Sequence, residues 1–158
     1  MAKILNIIKY PDSFLRQKAK DFPIDQLRKK EIKELLEDMN KTMKELDGAG
    51  LAAPQIGKSI RVIIVNDEKT KKSLFMINPK ITKKSWAQEI EDEGCLSVVD
   101  DKGEIIYGPV SRHKKVTCNY FDEHGNKKKI QAEKMLARII QHEIDHLDGV
   151  LFIDRLIK

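Results

Sequence analysis

EKMLARIIQHEIDHL, residues 133–147, repeats apolar side chains every three to four positions, at Met135, Leu136, Ile139, Ile140 and Leu147. That period marks an amphipathic helix, and Gly149 stands where such a helix would stop. His142 and His146 lie one turn apart on it, so both imidazoles leave the same face and can reach one metal ion. Glu143 tilts to the side of that face, where it can take a proton from water without being a ligand. This is the H-E-x-x-H arrangement of zinc hydrolases. Met135 and Ile139 precede His142 on the same side and would form an apolar wall for a hydrophobic substrate side chain. A pair of solvated surface histidines is the bland alternative. The helix is apolar around the motif, however, and a buried imidazole pair beside a carboxylate is costly unless something pairs with it.

A catalytic metal usually has three protein ligands and one open position. Only 12 residues follow His146, too short a stretch for a downstream glutamate of the thermolysin kind. The metzincin pattern H-E-x-x-H-x-x-G-x-x-H is followed as far as Gly149 and then meets Phe152 where the last histidine would stand. The third ligand is therefore sought upstream, among Cys95, Cys118, His113, His124 and several acids. Cys118 alternates with Val116 and Tyr120 on one face of a strand and reads as core filling. His124 sits in a turn beside Gly125, and His113 lies among Arg112, Lys114 and Lys115, where a cation would be repelled. Cys95 stands apart: in EGCLS, residues 93–97, it follows Gly94, where the backbone can turn sharply and present a thiolate.

Outward from these segments the chain reads as an α+β domain spanning 1–158, with short antiparallel strands packed around the buried C-terminal helix that carries the motif. Strands are expected at 60–66, 74–78, 85–91, 115–121 and 127–132, with Pro79 breaking or edging the second of them. Ile32, Leu35, Leu36, Met39, Met43 and Leu46 make one apolar stripe, which predicts a structural helix over 26–46 that stops at Gly48. GAGLAAPQIG, residues 48–57, has more small residues than a turn needs, and with no Lys-Ser/Thr after Gly57 it is not a phosphate loop.

Composition narrows the class. With 158 residues, 41% hydrophobic and 35% charged, the chain has the balance of a globular protein, and two cysteines do not make a disulfide scaffold. The net charge of +5 is mild and scattered, so a solvated surface is favoured over direct nucleic-acid binding. No apolar run approaches the length of a membrane span, and the first residues lack signal-peptide features, so the expected compartment is the cytoplasm.

GAGLAAPQ (48–55), EGCLS (93–97) and QHEIDHLDG (141–149), in this order, resemble peptide deformylase, and IIKYPDSFLRQKA (7–19) is similar to that family's N-terminus. The resemblance covers essentially the whole chain. It implies that Cys95, His142 and His146 are the metal ligands and Glu143 the catalytic acid–base group. It also implies that the Gln55 amide and the Leu96 N–H stabilise the oxyanion. Gly50 would bind the substrate peptide as an added strand, and Gly48, Met135 and Ile139 would lie near the methionine side chain. The implied cofactor is one divalent ion, ferrous in the cell, with zinc, nickel or cobalt able to take its place. The implied substrates are N-formylmethionyl nascent peptides, with transient ribosome contact compatible with the charge. Arg112 is expected to pair with Glu93. After EGCLS the residues Val98, Val99, Asp100 and Asp101 depart from the family pattern, which bears on the substrate rim. The rival enzyme reading is an HExxH metallopeptidase cleaving internal peptide bonds. A structural metal site is the non-enzymatic one, although such sites favour four protein ligands.

Overall fold

A computed structural model describes all of residues 1–158. Two helices, α1 (Lys30–Glu45) and α2 (Lys134–Leu147), flank a five-stranded antiparallel sheet. Its strands are β1 (Gly50–Ala52), β2 (Val62–Asp67), β3 (Lys72–Lys84), β6 (Lys115–Phe121) and β7 (Lys127–Glu133), and that is also their spatial order. A separate hairpin pairs β4 (Gln88–Glu93) with β5 (Gly108–His113).

β2 explains the layering. Its run VIIVND starts with four buried residues, as a strand covered on both faces requires. Alternation sends Val62 and Ile64 to one side, where they pack with Leu36, Met39 and Met43 of α1. Ile63 and Val65 go to the other side and pack with Ala137, Ile139, Ile140 and Leu147 of α2. Burying each such side chain contributes roughly 1.5–3 kcal/mol, so slipping β2 by one residue would exchange both interfaces at once. α2 is buried along most of its length because it lies between this sheet and the β4–β5 hairpin.

Several boundaries differ from the sequence reading. The stretch expected to open the first helix is a 3-10 turn, Ile24–Arg28, and α1 begins only after the extended Lys29. The residue that ends α1 in a left-handed conformation is Asp47 (φ 54°), one before Gly48. Pro79 does not stop β3. The register with β6 shifts between Ile77 and Lys80, and Pro79 sits in that bulge, where no ladder donor is needed. Asn78 there takes φ 52°, and its side chain bonds both the N–H and the carbonyl of Phe22. No run of alternating or β-branched residues marks β1 or β5 as a strand. Gly149 ends α2 with φ 75°, and a side chain there would collide with the Arg16 carbonyl, so this turn demands glycine.

Candidate active site

β4 ends at Glu93, and after Gly94 the chain turns so that Cys95 faces α2. From α2 come His142, Glu143 and His146. The ligand atoms of Cys95, His142 and His146 all lie within 4.8 Å of one another, and all three residues are buried. Cys95 Sγ is 3.3 Å from His146 Nε2. His142 Nδ1 donates to Glu93 Oε1 at 2.9 Å, which orients the ring with Nε2 toward the cluster. The two imidazoles meet edge to face, with centroids 5.1 Å apart, and Phe152 stacks on His142 from outside.

The electrostatics fit a cation at the point where these three groups converge. Burial disfavours charge on His142, yet Cys95 and Glu93 together draw its pKa up to about 10. The cluster thus stabilises a positive charge there, and a divalent ion supplies one without a proton. Burial and the neighbouring His142 hold His146 well below its ordinary range, in the neutral form that ligates. A thiolate with two imidazoles is a donor set suited to iron, nickel, cobalt or zinc. Burial pushes the Glu93 carboxyl upward, but the Arg112 and His142 hydrogen bonds overcome it and keep the group anionic, far below the usual carboxylate range.

Glu143 is buried, with Oε2 4.0 Å from His142 Nε2 and Oε1 without a hydrogen-bond partner. Burial pushes its carboxyl up to about 7 against the pull of His142. Burial thus favours the protonated form of Glu143, the direction a proton-transfer group needs. Gln55 lies in the 3-10 turn Ala53–Ile56. Its Oε1 accepts from the Ala52 N–H at 3.0 Å, which aims Nε2 at Ser97 Oγ (3.0 Å) and Cys95 Sγ (3.5 Å). The Leu96 N–H donates to no group in the chain. Gly50 packs so close that a Cβ on it would stand 2.7 Å from Glu143 Oε2.

One cleft of about 230 Å³ gathers Gly48, Gly50, Gln55, Cys95, Leu96, Met135, Ile139, His142 and Glu143. His146 sits behind it, 1% exposed, and reaches the cluster from below. Met135 is half-exposed at the mouth, whereas Ile139 is buried in the wall. The expected Glu93–Arg112 pair is present and bidentate, at 2.9 and 2.9 Å. Arg138 and Asp145 join this network although no motif marks them. Arg112 also donates to Asp145 Oδ2 at 2.6 Å, and Arg138 donates to Glu93 Oε2 at 2.6 Å. The signal was available: a charged residue one turn before His142 on the buried side of an apolar helix needs a partner.

The family model described as polypeptide deformylase matches residues 4–158. The chain belongs to the polypeptide deformylase family. A peptide deformylase of Dehalococcoides mccartyi (strain CBDB1) is 40% identical over 154 residues, covering 97% of this chain and 86% of that protein. One from Halothermothrix orenii is 41% identical over 155 residues, covering 98% and 95%. Among solved structures, a Met-Ala-Ser-bound class I type b deformylase of Acinetobacter baumannii superposes with TM-score 0.89 at 33% identity, covering 99% of this chain and all of that one. An actinonin complex from Synechococcus elongatus gives TM-score 0.87 at 39% identity, covering 98% and 79%. The deformylase reaction, removal of the formyl group from N-terminal formylmethionine by a metal-dependent hydrolase, is the chain's function, and the metallopeptidase reading is set aside. The α+β fold is shared with these deformylases. No helix is long and apolar enough to cross a membrane.

Proposed function

We propose that Cys95, His142 and His146 hold one divalent ion, ferrous in the cell, and that Glu143 carries the proton during deformylation. The convergence of these three buried donors beside an unpartnered carboxylate oxygen carries the reading. When bound, the ion polarises the formyl carbonyl and acidifies water at neutral pH. Glu143 accepts a proton from the attacking water and passes it to the departing amine, which leaves as the free N-terminus. The Gln55 Nε2 and the Leu96 N–H supply donors to the developing oxyanion. Ser97 and Ala52 hold the Gln55 amide in place beforehand, so little reorganisation is needed at the moment of reaction.

Substrate placement follows from β1. Asn66 N donates to Ala49 O at 2.9 Å, and Gly50 pairs with Val65. Gly50 therefore occupies a non-hydrogen-bonded position, and its own N–H and carbonyl point away from β2, toward the free sheet edge. An extended peptide can pair there as an added strand. Its first side chain then enters the space between Gly48, Met135 and Ile139. The tripeptide bound by the Acinetobacter deformylase supports a ligand of this size. A thiolate ligand works best in a reducing compartment, which supports the cytoplasm as its place of action. Substrates that begin at the ribosome make a transient contact there compatible with this role.

The test combines metal content of anaerobically purified protein with formate release from formyl-Met-Ala. One ion per chain is expected, lost on Cys95→Ala, and formate release is expected to collapse in Glu143→Gln while the ion stays. Full hydrolysis by Glu143→Gln would remove that residue from the mechanism.

A further inference from the structure

We propose that Arg138 is a positioning residue for His142, acting through Glu93. The proposal rests on the metal-site reading above and adds a member that the ligand set does not contain. Glu93 is the hub. Its Oε1 accepts from His142 Nδ1 and Arg112 Nη2, and its Oε2 accepts from Arg112 Nε and Arg138 Nη1. The carboxylate thus has both oxygens doubly engaged, the condition under which its terminal torsion, otherwise broad, becomes fixed.

The two arginines are not equivalent in this arrangement. Arg112 is shared: its Nη1 goes to Asp145, which is also gripped by Arg155 at 2.6 and 3.0 Å. Arg138 is committed to the hairpin. Beyond Glu93 it donates to the Val110 carbonyl at 3.0 Å and the Glu89 carbonyl at 2.7 Å, with its side chain 8% exposed. It leaves α2 one turn before His142, so it ties that turn of the helix to β4 and β5 and holds Glu93 between them. Packing does not ask for a guanidinium here. Its neighbours on the cleft wall, Met135 and Ile139, are apolar, and burying a charge costs several kcal/mol unless its partners compensate. What the charge adds is the second restraint on Glu93 Oε2, and through Oε1 the aim of the His142 ring.

The experiment compares nickel-loaded wild type, Arg138→Met, Arg138→Lys, Glu93→Gln, the Arg138→Met/Glu93→Gln double variant and His142→Ala. Nickel release to an excess of chelator, kcat and KM for formyl-Met-Ala, and Tm are read for each. Arg138→Met is expected to release nickel about tenfold faster and to lower kcat by a similar factor, the low end for removing such a partner because Arg112 still holds Glu93. KM should stay within about twofold, and Arg138→Lys should recover only part of the loss, since an ammonium keeps the charge beside Oε2 but not the fork that also holds Val110 and Glu89. In the Glu93→Gln background, Arg138→Met should add less than about twofold, because the two residues act in one line. Nickel retention by Arg138→Met equal to wild type, or effects of Arg138→Met and Glu93→Gln that simply multiply, would overturn the proposal. Should Arg138→Met fail to fold, Arg138→Gln takes its place in the same comparison. His142→Ala separates the two levels: if it keeps nickel as wild type does, the metal-site reading itself fails, whereas its loss of nickel beside an unaffected Arg138→Met sinks only the role of Arg138.

Discussion

Gly50→Ala sets a methyl group against Glu143, the side chain proposed to move the proton. Gly50 does not use a left-handed conformation, so alanine can adopt its backbone, but the added methyl overpacks against the buried Glu143 and should cost about 1–3 kcal/mol of stability. The added Cβ would lie 2.7 Å from Glu143 Oε2, 2.8 Å from Cγ and 3.0 Å from Cδ. Ordinary contact begins near 3.4 Å, so the carboxylate and its stem must retreat by about 0.4–0.7 Å. Because Cγ is crowded as well as the tip, a simple rotation of the carboxylate does not relieve the contact. A displacement of about 1 Å at a reacting group costs about a hundredfold in rate. Gly50→Ala should therefore lower kcat by roughly tenfold to a hundredfold, a barrier increase of about 1.4–2.7 kcal/mol. The outward N–H and carbonyl of residue 50 are untouched, so KM should move little. Steady-state formate release from formyl-Met-Ala, paired with a thermal melt, reads both quantities. Gly48→Ala is the control. Its Cβ would meet the end of the Leu96 side chain at 3.1 Å and the Gly50 carbonyl at 3.3 Å but not Glu143, so its kcat loss should be smaller. A Gly50→Ala enzyme with wild-type kcat, or with a loss confined to KM, would refute the claim that this glycine exists to let Glu143 approach.

Three other outcomes are expected. Gln55→Ala should reduce kcat by about a hundredfold to a thousandfold with the ion retained, measured by formate release and metal analysis, since one oxyanion donor is lost. Activity in air should decay faster with iron bound than with nickel or zinc, because ferrous iron and the Cys95 thiolate are both oxidisable, and equal half-lives for the three loaded forms would count against Cys95 as a ligand. Asp154→Asn should cost about 0.5–1 kcal/mol near neutral pH in denaturant titrations, a modest figure because Arg16 and Asp154 are 39% and 36% exposed. The Arg16 hydrogen bond holds Asp154 below its ordinary value of 3.8, so its contribution is full above that value. As pH falls through the lower folded-state value, the gap between wild type and variant should close.

Periodicity revealed what local pattern can reveal. α2 and its ligand pair followed from a 3.6-residue repeat, and β2 from a dense β-branched run, because both are long and buried. β1 has three residues and β5 begins Gly-Pro, so neither offers enough alternation to register. The passage of β3 through Pro79 depends on Arg61 and Phe22 bonding Asn78, partners distant in sequence. In the site, Cys95, His142 and His146 could be named because metal chemistry restricts the residue types. For Arg138 and Asp145 the sequence signals only that a charge on the buried side of α2 needs a partner; which partner it meets is decided when α2 docks against the hairpin.

The free edge of β1 is only three residues long, and its outward hydrogen-bonding groups at Gly50 lie directly beside the reacting centre. A ligand that adds itself there gains main-chain pairing for its first few residues and nothing beyond them. On the proposed docking, recognition fades quickly along the polypeptide, so proteins of unrelated downstream sequence would be served by one catalyst that inspects only how each of them begins.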